Sequence, residues 1–157
     1  MILKGLITED IVNYKKTCMT LIFPYCTMKC DKDCGQPVCQ NSALATAPKI
    51  NVEIDELVRW YINNPITHAV CCQGMEPLDS WSELKEFVTE LRKHSDDDIV
   101  IYTGYTKEEL WKVLPELRSI PNIIVKFGRY IPGQQPHYDS VLGVNLASDN
   151  QYAEVIA

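Results

Sequence analysis

The apolar residues of this chain form short continuous runs, separated by longer segments in which apolar positions recur every three or four residues. Runs such as Ile99-Val-Ile-Tyr102 and Ile123-Ile-Val125 are bounded by Asp, Pro or Gly, which is typical of buried strands. Strands are predicted at about 17–24, 67–73, 98–103, 122–127 and 141–146. Continuous rather than alternating apolar runs favour a parallel sheet that is covered on both faces.

Three segments between these runs carry the helical period, with their apolar residues mostly on one face. Helices are predicted over 52–63, 79–94 and 106–119. Asn51 is a candidate N-cap for the first helix, and Thr106 with Glu109 makes a capping-box pattern at the start of the third. Strands that alternate with helices at about thirty residues per unit indicate βαβ units.

The predicted fold class is therefore α/β, in a single domain over residues 1–157, with about five to six parallel strands. A closed eight-unit barrel needs about 250 residues, which is more than this chain has. A partial (βα) barrel or an open twisted sheet is expected instead. In such folds ligands bind at the carboxyl edge of the strands, where the irregular stretches 26–48 and 128–140 are expected to lie.

Composition narrows the class of protein further. Apolar residues make up 46% and charged residues 23% of the chain, as in ordinary globular domains. No apolar run reaches eighteen residues and the N-terminus lacks the sections of a signal peptide, so we expect no membrane association and a cytoplasmic protein. The net charge of −6, with scattered Lys and Arg, argues against nucleic-acid binding.

Cysteine is the most informative residue type in this sequence. Four of the seven cysteines, Cys26, Cys30, Cys34 and Cys39, follow the first predicted strand within fourteen residues. An odd cysteine count in a chain expected to stay in a reducing compartment argues against a disulfide framework. Several thiolates on one loop suit an iron–sulfur cluster or zinc. Cys71 and Cys72 lie within a predicted strand and are expected to pack, one on each face.

Four motifs, taken in order, carry a family resemblance across nearly the whole chain. They are the segment from Leu21 to Cys30 with Cys39-Gln-Asn41, the turn Gln73-Gly-Met-Glu-Pro-Leu78, the strand end Ile101-Tyr-Thr-Gly-Tyr105, and the pair Lys126–Ile131 and Leu146–Gln151. Together they resemble the radical S-adenosylmethionine (SAM) superfamily, and within it the small activating proteins of anaerobic ribonucleotide reductases. That family has Cys-x3-Cys-x2-Cys after an apolar strand, whereas the second interval here is longer, and Met75 stands where the family has glycine.

The resemblance implies a partial barrel of the radical SAM type and a [4Fe–4S] cluster held by three cysteines. The fourth iron would bind SAM, and an electron passing through the cluster would produce a 5′-deoxyadenosyl radical. Cys26 and Cys30 are the implied first and second ligands. The third is Cys39, which Asn41 follows as in the family pattern, or alternatively Cys34, which would give a shorter loop.

The same resemblance implies the cofactor-binding residues and the partners. Gly74, Met75 and Glu76 would approach the ammonium group of SAM, and Thr103 with Gly104 would touch the adenosyl moiety. Lys126, and also Arg129, would meet the SAM carboxylate or a partner. The substrate implied is the large glycyl radical subunit of an anaerobic reductase, and the electron donor a protein such as flavodoxin.

Other functions remain open at the level of sequence. One is a radical SAM enzyme that acts on a different protein or on a small molecule. Another is a non-catalytic module in which four cysteines hold an iron–sulfur cluster or zinc. The segment from Gly128 to Asp139 contains Tyr130 and Tyr138, and exposed aromatic residues make good anchors for a protein partner.

Overall fold

The computed structural model describes residues 1–157 and contains ten strands and four α-helices. In chain order these are β1 (Ile2–Leu3), β2 (Gly5–Asp10), β3 (Cys18–Phe23), α1 (Lys29–Cys34), β4 (Ile50–Asn51), α2 (Ile54–Asn63), β5 (Ala69–Gly74), α3 (Trp81–Leu91), β6 (Asp98–Tyr102), α4 (Leu114–Arg118), β7 (Ile123–Phe127), β8 (His137–Asp139), β9 (Val144–Leu146) and β10 (Tyr152–Val155). Short 3₁₀ turns cover Ser42–Ala45 and Pro77–Ser80. No helix has the length and apolar character needed to cross a membrane.

A six-stranded mixed sheet organises the molecule, in the order β10-β7-β6-β5-β3-β2. Its four central strands, β3, β5, β6 and β7, run parallel to one another. The two edge strands, β2 and β10, run antiparallel to their neighbours. The connection from β2 to β3 is only seven residues long, and a parallel crossover needs a dozen or more. Four strands are thus parallel, rather than the five or six expected, while a partial barrel stays a prediction.

Both faces of the sheet are covered, as the continuous apolar runs predicted. The larger core packs one face against α2, α3 and α4, through residues such as Leu57, Phe87 and Leu117. The smaller core covers the other face with Tyr14 and Leu142 from irregular segments. Cys72 belongs to the larger core and Cys71 to the smaller one, so these two cysteines pack on opposite faces, as predicted.

The central strands match the predicted positions, but the last predicted strand does not join the main sheet. Of residues 141–146 only β9 is extended, and it pairs with β8 in a separate hairpin. The Asp139 carboxylate accepts hydrogen bonds from the backbone N–H groups of Val141 and Leu142, at 3.0 and 2.9 Å, which turns the chain before β9. Residues 141–143 therefore form the turn of a hairpin.

The predicted third helix is also shorter than expected. Its capping box does form, because Thr106 N–H donates to Glu109 Oε2 at 2.8 Å and Glu109 N–H to Thr106 Oγ1 at 3.3 Å. Residues 107–113 nevertheless form turns, and the α-helix is confined to α4. Pro115 has no N–H to donate back to Trp111, so an unbroken helix over 106–119 is disfavoured.

The first two predicted helices match α2 and α3 with small differences at their ends. The residue that caps α2 is Glu53 rather than Asn51, and its side chain makes no capping hydrogen bond. The segment 79–94 begins with a 3₁₀ turn and continues as α3, which ends at Leu91. The apolar residues Leu84, Phe87, Val88 and Leu91 are buried, as the helical period predicted.

Candidate metal centre

A cavity of 310 Å³ lies at the carboxyl edge of the four parallel strands. Its walls come from segments that follow β3, β5, β6 and β7, which is where α/β sheets bind ligands. Nine of the predicted site residues line it together, namely Cys26, Cys30, Cys39, Gly74, Met75, Glu76, Thr103, Gly104 and Lys126. Cys34 does not line the cavity, although it lies in the same loop.

The cysteine loop begins three residues after β3 and enters a tight turn at Met28, whose φ is 57°. This turn directs the Met28 N–H toward Cys26 Sγ, at 3.2 Å. Burial raises the pKa of the Cys26 and Cys30 thiols, and backbone N–H groups of Met28 and Tyr130, respectively, act in the opposite direction. Hydrogen bonds from N–H to cysteine sulfur are also a means by which proteins tune a bound iron–sulfur cluster.

The return of the loop brings Cys39, rather than Cys34, to the cavity. Cys34 is the last residue of α1, which contains no buried residue. Asp31 Oδ1 accepts hydrogen bonds from the N–H groups of Val38 and Cys39, both at 2.8 Å. Beyond them, Asn41 Nδ2 donates to the Gly74 carbonyl at 3.1 Å, which joins the loop to the end of β5. The structure therefore favours Cys39 over Cys34 as the third candidate ligand.

The donor set is of the kind that holds iron–sulfur clusters, which are bound by cysteine thiolates. Three half-buried thiols, those of Cys26, Cys30 and Cys39, line one cavity. Three thiols around one cavity are thus compatible with a cluster.

Glu76 is buried, with 5% of its surface exposed, and its carboxylate connects two strand ends. Oε2 accepts a hydrogen bond from Gly104 N–H at 2.8 Å and Oε1 accepts one from Leu78 N–H at 3.1 Å. Burial raises the pKa of Glu76 to about 7, and the two backbone N–H groups limit the rise. Glu76 therefore holds the turn after β5 against the turn after β6 and places a carboxyl group in the cavity wall.

Lys126 is the second buried charge of the cavity. It is the fourth residue of β7 and is 7% exposed, so it is not an ordinary surface cation. Its Nζ donates to the Gly128 carbonyl at 2.8 Å. Burial lowers its pKa to about 8, while the nearby Glu76 carboxylate favours the charged form. An ammonium group has three donors, and only one of them has a protein acceptor here.

Thr103 and Gly104 form the cavity wall at the end of β6. The Thr103 hydroxyl oxygen accepts a hydrogen bond from Tyr105 N–H at 3.0 Å, which fixes this turn. The Tyr105 hydroxyl donates to Asp79 Oδ1 at 2.5 Å. Together with the Gly104–Glu76 contact, these bonds hold the β6 end rigidly beside the end of β5.

Arg129 lies at the cavity rim, and its guanidinium group is paired with the carboxylates of two other residues. Its Nη2 donates to both carboxylate oxygens of Glu109, at 2.7 and 2.8 Å, and its Nε lies 3.3 Å from Asp33 Oδ2. The pairing lowers the pKa of Glu109 to about 2. Arg129 therefore ties α1 to the capping-box turn.

Some cavity residues have no signal in the sequence. Asn13 lies in the irregular segment before β3, and its carbonyl accepts a hydrogen bond from the Tyr102 hydroxyl at 2.6 Å. Asn145 reaches the cavity from β9 of the β8–β9 hairpin, and Ala147 from just beyond it. These contacts join residues far apart in the chain, so no local pattern marks them. The resemblance of Leu146–Gln151 to a family motif gave a partial signal, since Gln151 also lines the cavity.

Comparison with known proteins identifies the class to which this site belongs. A family model described as a 4Fe-4S single cluster domain matches residues 15–143, which is more than half of the chain. No curated protein and no solved structure matches the chain. The matched region contains the cysteine loop and the parallel strands that surround the cavity. The chain belongs to the 4Fe-4S single cluster domain family and is an iron–sulfur protein.

Proposed function

We propose that this protein is a radical SAM activating enzyme, which uses a [4Fe–4S] cluster and SAM to install a glycyl radical on the large subunit of an anaerobic ribonucleotide reductase. One observation carries the proposal. Three cysteines, the Gly74–Glu76 turn, the Thr103–Gly104 turn and Lys126 line the same cavity at the carboxyl edge of the parallel strands. These are the residues that the family resemblance assigns to the cluster and to SAM.

Cys26, Cys30 and Cys39 are the residues proposed to hold the cluster. Three protein ligands leave one iron with an open coordination position, which distinguishes a catalytic metal site from a closed structural one. When bound, the cluster would supply the electron that cleaves the sulfonium of SAM. Cys34 does not line the cavity, which supports a set of three ligands rather than four.

The buried charges of the cavity suit the amino-acid end of SAM. The two free donors of the Lys126 ammonium group can bind a carboxylate, and in a buried site such a charge-assisted contact is strong. The Glu76 carboxyl group accepts two backbone N–H bonds and provides negative charge beside a cationic ligand. The same two bonds hold the turns that shape the cavity, so Glu76 also has a structural role there.

The proposed protein partner contacts the segment from Gly128 to Asp139. Tyr130 lines the cavity at one end of this segment, and Tyr138 is 65% exposed at the other. Aromatic residues beside an open cavity are suitable anchors for a substrate loop. A loop inserted there would also exclude water from the reacting groups. The electron donor, such as flavodoxin, is proposed to bind elsewhere on the surface.

The first experiment tests the cluster and its ligands. Anaerobic reconstitution should give about four irons and four sulfides per chain. Replacing Cys26, Cys30 or Cys39 by Ala should remove the cluster, because each variant loses one of three ligands. Cys34→Ala serves as the matched control, since it removes a half-buried thiol from the same loop. We expect it to reduce the iron and sulfide content less than the other three substitutions do. A cluster that survives Cys39→Ala but not Cys34→Ala would assign the third position to Cys34.

The second experiment tests the reaction. The reduced, cluster-loaded protein is incubated with SAM, and methionine and 5′-deoxyadenosine are measured. It is then mixed with a co-encoded anaerobic reductase subunit, and a glycyl doublet is sought by electron paramagnetic resonance. A loaded protein that forms no 5′-deoxyadenosine would point to a non-catalytic module. Turnover of a small molecule without the subunit would point to a different substrate.

A further inference from the structure

The cysteine loop contains an excursion of eight residues, 31–38, between Cys30 and Cys39. It consists of most of α1, a reversal at Gly35 with φ of 68°, and the returning segment up to Val38. None of its helical residues is buried, and a Cβ placed on Gly35 would meet nothing within 4 Å. The excursion therefore projects into solvent from the rim of the cavity, where Gly35 has open space around it and Asp33 Oδ2 lies 3.3 Å from Arg129 Nε.

A single side chain closes the base of this excursion. Asp31, the first residue after Cys30, accepts hydrogen bonds through Oδ1 from the N–H groups of Val38 and Cys39, both at 2.8 Å. Such bonds to a carboxylate are charge-assisted and stronger than neutral ones. The contact fixes the backbone of Cys39 beside that of Cys30, whatever the length of chain between them.

The position of Asp31 does not correspond to an ordinary helix cap. An acidic residue in the first turn of a helix usually binds N–H groups of that same turn. The two N–H groups bound here belong to residues seven and eight positions further along, beyond the end of α1. The helix is also only six residues long, so its dipole gives little reason for the carboxylate.

A long chain segment between two ligands carries a cost in loop-closure entropy, and the hydrogen bonds of Asp31 offset it. The entropy lost on closing a loop grows with its length, so bringing together residues nine positions apart is about fivefold less favourable than for three positions. Cys39 nevertheless lines the cavity beside Cys30, whereas Cys34, which is nearer in sequence, does not. The hydrogen bonds of Asp31 hold Cys39 close to Cys30 although eight residues separate the two cysteines.

We propose that Asp31 is a positioning residue that presents Cys39 as the third cluster ligand by closing the base of the 31–38 excursion. This inference rests on the proposed function only through the cluster and its ligand Cys39, and not on the cleavage of SAM. It follows that the excursion is dispensable for cluster binding, and that Asp31 is needed only while the excursion is present.

The contact itself is tested in the metal-free protein by amide hydrogen exchange. Asp31→Ala should reduce protection of the Val38 and Cys39 amides by about tenfold or more, because a charge-assisted hydrogen bond contributes at least that factor. Asp31→Asn keeps an acceptor oxygen and should retain part of the protection. The control is Lys32→Ala, since this exposed neighbour makes no side-chain hydrogen bond or ion pair, and protection should not change. Full protection in Asp31→Ala would overturn the proposal.

The consequence for the metal centre is tested by iron and sulfide content and the visible spectrum after anaerobic reconstitution. Asp31→Ala should lose iron, Asp31→Asn should recover part of it, and Lys32→Ala should match the wild type. Wild-type iron content in Asp31→Ala would overturn the inference while leaving the proposed function intact. A wild-type protein that binds iron but does not cleave SAM would contradict the proposed function while leaving the inference intact.

A deletion provides the most direct test. Removing residues 31–36 leaves Cys30-Pro-Val-Cys39, in which only two residues separate the cysteines and Cys34 is absent. This shortened chain should load iron without Asp31, with the spectrum of the wild-type cluster. Loss of the cluster from the deletion variant, with an unchanged unfolding temperature of the metal-free chain, would show that the excursion or Cys34 is required. That result would overturn the proposal.

Discussion

Glu76 shows how one buried side chain can link two loops of the site. Its carboxylate accepts N–H groups from Leu78, two residues away, and from Gly104, which is 28 residues away. The local contact follows from an acidic residue that directly precedes a helical segment, where free N–H groups point toward it. The contact with Gly104 arises only when β5 and β6 pair, so it could not be predicted from the local sequence.

This burial predicts a pH dependence of stability for the metal-free protein. The folded pKa of Glu76 is about 7, above its ordinary 4.5, so the folded state keeps a proton that the unfolded state has lost between these values. The free energy of unfolding should therefore fall as pH rises from 4.5 to 7, by an amount of order 3 kcal/mol. Lys126, with a pKa of about 8, titrates above this window.

The measurement compares urea unfolding of the wild type and Glu76→Gln at several pH values. The variant should lose this part of the pH dependence, because glutamine does not titrate. It should also be less stable at low pH, since its amide nitrogen cannot accept the N–H that the second oxygen of the protonated carboxyl group can accept. Parallel curves for the two proteins between pH 4.5 and 7 would contradict the assignment.

At the scale of elements, the end of β5 depends on a close approach to β3. Gly74 has φ of 108°, and a Cβ there would lie 2.6 Å from Ile22 Cγ2 and 2.8 Å from the backbone nitrogen of Phe23. These distances are shorter than van der Waals contact, and part of the crowding is with backbone. Glycine is therefore required where β5 turns toward the cavity.

Gly74→Ala should destabilise the protein by roughly 2 kcal/mol or more, from backbone strain together with overpacking. Gly133→Ala is the matched control, because Gly133 also has a positive φ, 82°, but a Cβ there meets nothing within 4 Å. The control should cost only about 1 kcal/mol, from the backbone conformation alone. Chemical unfolding measures both, and equal losses would show that the approach to β3 contributes nothing.

The sequence predicted the central strands better than the edge strands, and burial explains the difference. The four central strands are buried on both faces and therefore contain apolar runs, such as Ile123-Ile-Val125 in β7. The edge strand β2 has one buried residue among six, and β10 is short, so neither has a clear signal. The capping box at Thr106 was correctly predicted, but Pro115 limits the helix that follows.

At the scale of the whole molecule, the cavity joins four strand ends and the cysteine loop. Sequence could place most of these residues through the order of the motifs, because strands of a parallel sheet all end at one edge. It could not place the hairpin that carries Asn145 or the segment with Asn13, since both reach the cavity through long-range packing. The longer cysteine interval was likewise visible in the sequence, while its closure by Asp31 was not.

The proposed cluster ligands belong to a loop that follows β3 and is bonded to the end of β5 through Asn41, so loading should stabilise the fold. A ligand that binds only the folded state raises the unfolding temperature. We expect the reconstituted protein to unfold at a higher temperature than the metal-free one under anaerobic calorimetry. Cys26→Ala should abolish this difference, and Cys34→Ala should preserve it. An equal unfolding temperature for loaded and metal-free wild type would show that the loop is uncoupled from the sheet.

The helix α1 has no buried residue, and this bears on how easily dissolved oxygen could reach a metal centre in the cavity. It forms one wall of the cavity through Lys29 and Cys30, and its opposite side faces solvent. A helix is only about 10–12 Å across, so a metal centre behind it is separated from bulk water by little more than one layer of protein. Electrons from a docked donor would have a short path inward, and dissolved oxygen would have the same path. Rapid reduction and sensitivity to oxygen would then have a common structural origin.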